Sequence, residues 1–182
     1  MLAQKQFRNF SLLILMTSLN IITKKKLDDY NTPLYAWEIL LNYLNLDKNK
    51  IIYEPFYNDG AAKDYLGKLG YEKVIHFEEN FFDNYEKYEY DLIISNPPYS
   101  IKKNILKILY MINKPFVLIM PTAIISKLYL KNIFKENIND IQYIIPNRRL
   151  HFELNGFNKK RTPFDTLFFC YKMNLQRDII YL

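Results

Sequence analysis

Apolar positions along this chain fall into two rhythms: short unbroken runs, and longer stretches with helical spacing. Thr32-Pro33 opens a helical pattern that runs through about Asn45. Thr is a good N-cap, and Pro is tolerated at a first helical position because its missing N–H has no partner there. Lys50 to Phe56 predicts a strand, and Ala61 to Leu69 a helix stopped by Gly70. Lys73 to Phe77 predicts a second strand and Tyr90 to Ser95 a third. Helical spacing returns from Ile101 to Ile112. Pro115 to Met120 reads as a strand and Ile124 to Phe134 as a helix. Ile141 to Ile145 and Asp165 to Lys172 read as two last strands with a basic loop between them. This alternation predicts an α/β fold in one domain over residues 30–182.

Residues 1–29 read as an N-terminal extension or helix. Phe10 to Ile22 is apolar, with Lys5 and Arg8 ahead of it and Lys24 to Lys26 behind. It is shorter than the roughly 20 residues a membrane span needs, and it has no small-residue cleavage site. A packing arm is expected there, with no membrane association and no secretion.

The composition, 49% hydrophobic and 24% charged, excludes a disordered chain. The net charge of +6 favours polyanionic partners. Cys170 is the single cysteine, which excludes an internal disulfide and a cysteine-cluster metal site. A reducing compartment is expected: the cytoplasm, or for a viral protein the nucleus or viral factory.

The strongest motif is Asn96-Pro97-Pro98-Tyr99, directly after the strand ending at Ser95. Two prolines cannot continue a central strand, because they lack N–H donors. The chain must leave the sheet there, at a carboxyl end, where open α/β sheets place ligands. The motif resembles the catalytic motif of the S-adenosylmethionine-dependent adenine-N6 methyltransferases, of the Dam-like and small phage or viral type. An adenine amino nitrogen is a poor nucleophile, since its lone pair is delocalised into the ring. The resemblance implies that the Asn96 side-chain oxygen and the Pro97 carbonyl bind its two hydrogens, while Tyr99 stacks on the base. A protein glutamine methyltransferase shares the tetrapeptide, so the motif alone leaves the substrate open.

Three further stretches carry the resemblance. Glu54-Pro55-Phe56-Tyr57-Asn58-Asp59-Gly60 is similar to the Dam-like cofactor loop, with Glu54 implied at the methionine amino group and Phe56 beside it. Gly60 matches a family glycine. Asn58 stands where another is usual, and Asn tolerates left-handed geometry best after Gly. The Glu-Pro-Phe form counts against the glutamine enzymes. Tyr30-Asn31-Thr32-Pro33 resembles the family's helix opener beside the cofactor, where free N–H groups suit a carboxylate. Tyr30, Thr32 and Pro33 are the implied contacts; Trp37 reads as core. After the second strand, Glu78 is the first choice for the ribose hydroxyls and Glu79 the alternate. Asn80 and Phe81 are implied at the cofactor's adenine, and His76 reads as packing.

Only Asp83 to Glu89 separate that stretch from the third strand, where the full fold has another helix and strand. The resemblance therefore implies a Rossmann-like class I methyltransferase in compact form. It lacks one β-α unit, and its sheet is mostly parallel with a C-terminal antiparallel strand and smaller than seven strands. S-adenosylmethionine is the implied cofactor and S-adenosylhomocysteine the product; no metal is implied. The basic loop holds Arg148, Arg149, Lys159, Lys160 and Arg161, interleaved with Phe152 and Phe157. Such a loop suits phosphate contact and base stacking, on the edge that carries Asn96. DNA is the preferred substrate and RNA the alternative. A catalytically silent nucleic-acid-binding subunit is the rival of another class. No recognition domain is evident, so a partner subunit is an expected source of sequence selectivity.

Overall fold

The computed structural model describes residues 30–154 and 164–182. The predicted arm at residues 1–29, and Phe157, Lys159, Lys160 and Arg161, lie outside the described residues. In chain order the elements are β1 (Tyr30–Asn31), α1 (Leu34–Leu44), β2 (Ile52–Tyr53), α2 (Ala61–Lys68), β3 (Val74–Ile75), α3 (Phe81–Asn84) and β4 (Leu92–Ser95). There follow α4 (Lys102–Ile112), β5 (Phe116–Pro121), α5 (Tyr129–Phe134), β6 (Ile141–Ile145), β7 (Glu153–Leu154), β8 (Thr166–Tyr171) and β9 (Ile179–Tyr181). Main-sheet order is β3-β2-β4-β5-β8-β6-β9. All neighbours are parallel except those of β8, which runs against both β5 and β6.

The sheet is covered on both faces. Alternate residues of β5, Phe116, Leu118 and Met120, join a core with Leu106 and Leu109 of α4 and Phe134 of α5. Val117 and Ile119 point the other way, into a core with Trp37 and Leu40 of α1 and Leu66 of α2. Burial on both sides explains why these strands read as continuous apolar runs.

As expected, only the short α3 lies between β3 and β4. The sheet nonetheless has seven strands, which corrects the expectation of a smaller one. β9 restores the count beside β6. Its Ile-Ile-Tyr run is too short to stand out in the sequence, and a distant side chain fixes the turn before it. Gln142 Nε2 donates to the carbonyls of Leu175 (2.9 Å) and Arg177 (3.1 Å), and its Oε1 accepts from Leu175 N–H (2.8 Å).

The helix expected over residues 124–134 splits into a 3-10 turn, Thr122–Ser126, and α5. Ser126 Oγ bonds the Ala123 carbonyl (3.1 Å) and Lys127 is extended, so the helix cannot run through. At the start of α1, Pro33 rather than Thr32 is the cap, with Ala36 N–H bonding its carbonyl at 2.9 Å.

Candidate active site

β2 continues to β3 on one side and has β4 on its other, so the crossover direction reverses between β2 and β4. Such a reversal opens a crevice at the carboxyl ends of the strands. A shallow, open-mouthed cleft lies there. Its walls come from three stretches the sequence marked separately: Tyr30 to Thr32, Glu54 with Phe56 to Asp59, and Asn96. Trp37, Ala61 and Ala62 complete it.

Glu54 follows β2 and is 2% exposed. The register pairs Tyr53 with Ile75 and with Ile93, which brings His76, one residue on, and Ser95, two residues on, to its carboxylate. His76 Nδ1 lies 2.7 Å from Glu54 Oε2 and 2.9 Å from the Glu54 carbonyl. A carbonyl only accepts, so Nδ1 carries a hydrogen. Ser95 Oγ donates to Glu54 Oε1, which also takes Phe56 N–H at 3.4 Å. An ionised carboxylate offers about four lone-pair sites, so these bonds leave room for one more donor from the cleft. Burial pushes the Glu54 carboxyl up, against the pull of His76. Burial alone would lower His76, but its bonds and charge contact with Glu54 raise it. Tyr57 stacks on the imidazole, ring centres 4.9 Å apart.

The turn after β2 has the backbone the sequence requires. Asn58 adopts φ 49 and Gly60 φ 83, both left-handed. A Cβ on Gly60 would strain this backbone and would stand 2.7 Å from the Tyr57 hydroxyl, which would have to move. Asn31 joins this rim: it donates to Asp59 and accepts from Asn58.

Asn96 enters the cleft from β4. Its Nδ2 donates to the Tyr30 carbonyl at 3.5 Å, which leaves Oδ1 as the buried atom without a hydrogen-bond partner. Trp37, 2% exposed, carries a second such atom, Nε1. Buried polar groups are rarely left so, and these two belong to residues lining one cleft, where a ligand or water can serve them. Pro97 is buried behind Asn96. The Pro98 carbonyl accepts from Ile101 N–H at 3.3 Å, and Tyr99 meets Phe164 edge-on at 5.6 Å. Phe164, the residue after the basic loop, thus lies beside Tyr99.

The loop's other end is committed to packing. Phe152, read as a stacking residue, is 1% exposed and packs against Tyr30. Arg149 pairs with Asp165 at 3.2 Å. Arg148 is exposed, with its guanidinium 4.0 Å from the Tyr35 ring centre. β7 pairs antiparallel with β1, tying the loop stem to Tyr30 and Asn31.

The structure does not bring the stretch after β3 into the cleft wall. Glu78 is exposed. Glu79 is held by Lys87 (2.6 Å) and the Tyr88 hydroxyl (3.0 Å). Asn80 caps α3, accepting Phe82 N–H at 3.1 Å. Phe81 is buried against Phe56. Phe56, Thr32 and Tyr30 line the cleft, and Pro33 is buried at its edge. Sequence reasoning passed over Asn31, Trp37 and the His76–Glu54 contact. Only the last had a signal: each residue directly follows the apolar run of its strand.

No protein-family model matches the chain. Over 95 residues it is 30% identical to the type II methyltransferase M.HincII of Haemophilus influenzae, covering 45% of this chain and 19% of that protein. The type II methyltransferase M.HindII of Haemophilus influenzae (strain ATCC 51907 / DSM 11121 / KW20 / Rd) matches equally, at 30% over 45% and 18%. This chain thus spans less than a fifth of the length of these relatives. Among solved structures, TrmN from Thermus thermophilus matches at 12% identity over 74% of this chain and 47% of that one, TM-score 0.39. A modification subunit of a putative type I restriction enzyme from Vibrio vulnificus YJ016 matches at 12% over 93% and 50%, TM-score 0.47.

Proposed function

We propose that this chain is an S-adenosylmethionine-dependent methyltransferase acting on the exocyclic amino group of adenine in a nucleic acid, with DNA preferred and RNA the alternative. One observation carries the reading: the Asn96 side chain lines the cleft with a buried Oδ1 that accepts nothing. The 30% identical stretch shared with two type II methyltransferases supports methyl transfer. Sequence selectivity is assigned to a partner subunit.

The cleft residues fit the cofactor. Trp37 Nε1 and the first N–H groups of α1 are donors suited to a carboxylate. Glu54 has one acceptor position left for an ammonium. Asn31, Asn58 and Asp59 form a polar rim, and small Ala61 and Ala62 permit close approach. Glu78 remains the residue proposed for the ribose, from its exposed position after β3. Bound there, the cofactor supplies an electrophilic methyl group on sulfur. Asn96 Oδ1 and the Pro97 carbonyl would then take the two amino hydrogens and turn the nitrogen lone pair toward that methyl. Tyr99 would stack on the base, worth about 1–3 kcal/mol. Positioning and fixed dipoles do the remaining work.

Labelled S-adenosylmethionine incubated with unmethylated DNA and RNA should yield N6-methyladenine in the DNA digest. Label in neither polymer, or on another base, rejects the proposal. Trp37→Phe keeps the ring and removes the N–H. It should weaken S-adenosylhomocysteine binding about tenfold, the worth of a hydrogen bond to a charged group. Affinity for methylthioadenosine, which lacks the amino-acid end, should not change; equal losses for both would mean the ring matters only for packing.

A further inference from the structure

Sequence and structure place an unusual surface beside Asn96. From Leu92 through Lys135 the chain holds no Asp or Glu and seven lysines, at 102, 103, 107, 114, 127, 131 and 135. Within this stretch, the turn that follows the carboxyl end of β5 exposes two large apolar side chains. Leu128 is 89% exposed and Ile125 49%. Single exposed apolar residues need no explanation, but these two stand on a fixed support. Lys127 N–H bonds the Ile124 carbonyl (3.0 Å), and Leu130 N–H bonds that of Lys127 (2.9 Å). Ile124 and Leu130 on either side are 1% and 4% exposed, anchored in the core. The turn is tied to the catalytic corner as well: Lys103, four residues beyond Tyr99, holds its ammonium 5.6 Å from the ring centre of Tyr129.

We propose that Ile125 and Leu128 form an apolar wedge that enters the base stack of a duplex beside the target base, with Lys103, Lys127 and Lys131 against the flanking phosphates. The inference rests on the nucleic-acid reading above and adds how a paired base is extracted. A base inside a duplex cannot reach Asn96 without leaving the stack, which costs a few kcal/mol. Apolar side chains inserted between base steps recover part of that cost, and a rigid turn inserts them without first losing conformational freedom. The absence of acids over this stretch matches a polyphosphate and repels nothing it carries.

The test is the double variant Ile125→Ala/Leu128→Ala. Both side chains are exposed, so the fold should be untouched. Methyl acceptance is measured on native DNA from an unmethylated source and on the same DNA after heat denaturation. Transfer to the duplex should fall at least about tenfold, and transfer to the separated strands should stay within about twofold. In parallel, permanganate oxidation of thymines reports unstacking in bound duplex and needs no methyl transfer. The unaltered chain should raise it and the double variant should not. Equal losses on both substrates, or no loss on the duplex, overturn the wedge. So does unchanged permanganate reactivity together with a shift from dimer to monomer in sedimentation, which would make the patch a contact between copies. A chain that unstacks duplex but transfers no methyl group would refute the proposed activity and leave the wedge standing.

Discussion

Asn96→Ala is expected to lower methyl transfer at least about 100-fold, the scale seen when a single preorganised polar group at a reacting centre is removed. Its effect on stability should be small and of unusual sign. Most substitutions at buried polar positions strand a partner. Here Oδ1 has none, and the Nδ2 bond to the Tyr30 carbonyl is long at 3.5 Å. Removing an unsatisfied acceptor relieves a desolvation cost, so the melting temperature should hold or rise slightly. Transfer and thermal unfolding measured on the same preparation separate the two effects. A variant that keeps its activity, or one that loses it only by unfolding, removes Asn96 from the chemistry. Binding of S-adenosylhomocysteine should persist, since the residues proposed for the cofactor lie on other walls of the cleft.

Glu54→Ala should be the most destabilising substitution in the site. It strips His76, whose side chain is 1% exposed, of its carboxylate partner, and Ser95 of its acceptor. Breaking a buried charged pair from one side costs about 3–5 kcal/mol, which for a domain of this size lowers Tm by about 10 °C. Glu54→Gln keeps an acceptor for Ser95 and should lose much less. The pair also sets a pH dependence. Glu54 and His76 both hold their proton more tightly in the folded chain than in the unfolded one. The stability each contributes is complete below its unfolded value and is lost as pH rises through its folded value. For His76 that loss begins above about 6.5. Tm should therefore decline as pH rises above about 6.5, and His76→Gln should flatten that decline. An unchanged slope in this variant would show that other groups set it.

The parts of this architecture that were legible in the sequence are those where burial or backbone geometry restricts residue type. β6 spans Ile141–Ile145, as its apolar run indicates, and β5 and β8 differ from their runs by a residue or so at either end, because both faces of these strands are covered. Asn58 and Gly60 were legible because few residues adopt positive φ. What stayed hidden depends on contacts between distant segments. His76 reads as packing until the β2–β3 register sets it against Glu54. Trp37 reads as core, and it is core, yet one edge of it also forms cleft wall. The pairing of β1 with β7 is only two residues long and joins segments more than a hundred residues apart. No local pattern announces so short a ladder. The acids after β3 show the opposite limit: the sequence put Glu78 first and kept Glu79 as the alternate, and only the fold shows Glu79 already taken by Lys87 and Tyr88.

That short ladder makes one mechanical unit of two places otherwise far apart in the chain. Asn31 clasps Asn58 and Asp59 at one end and lies opposite Glu153 at the other. A ligand that displaced the first end would load the second through this ladder. Any coupling between occupants of the two ends would then be reciprocal, each changing the other's dissociation constant by the same factor.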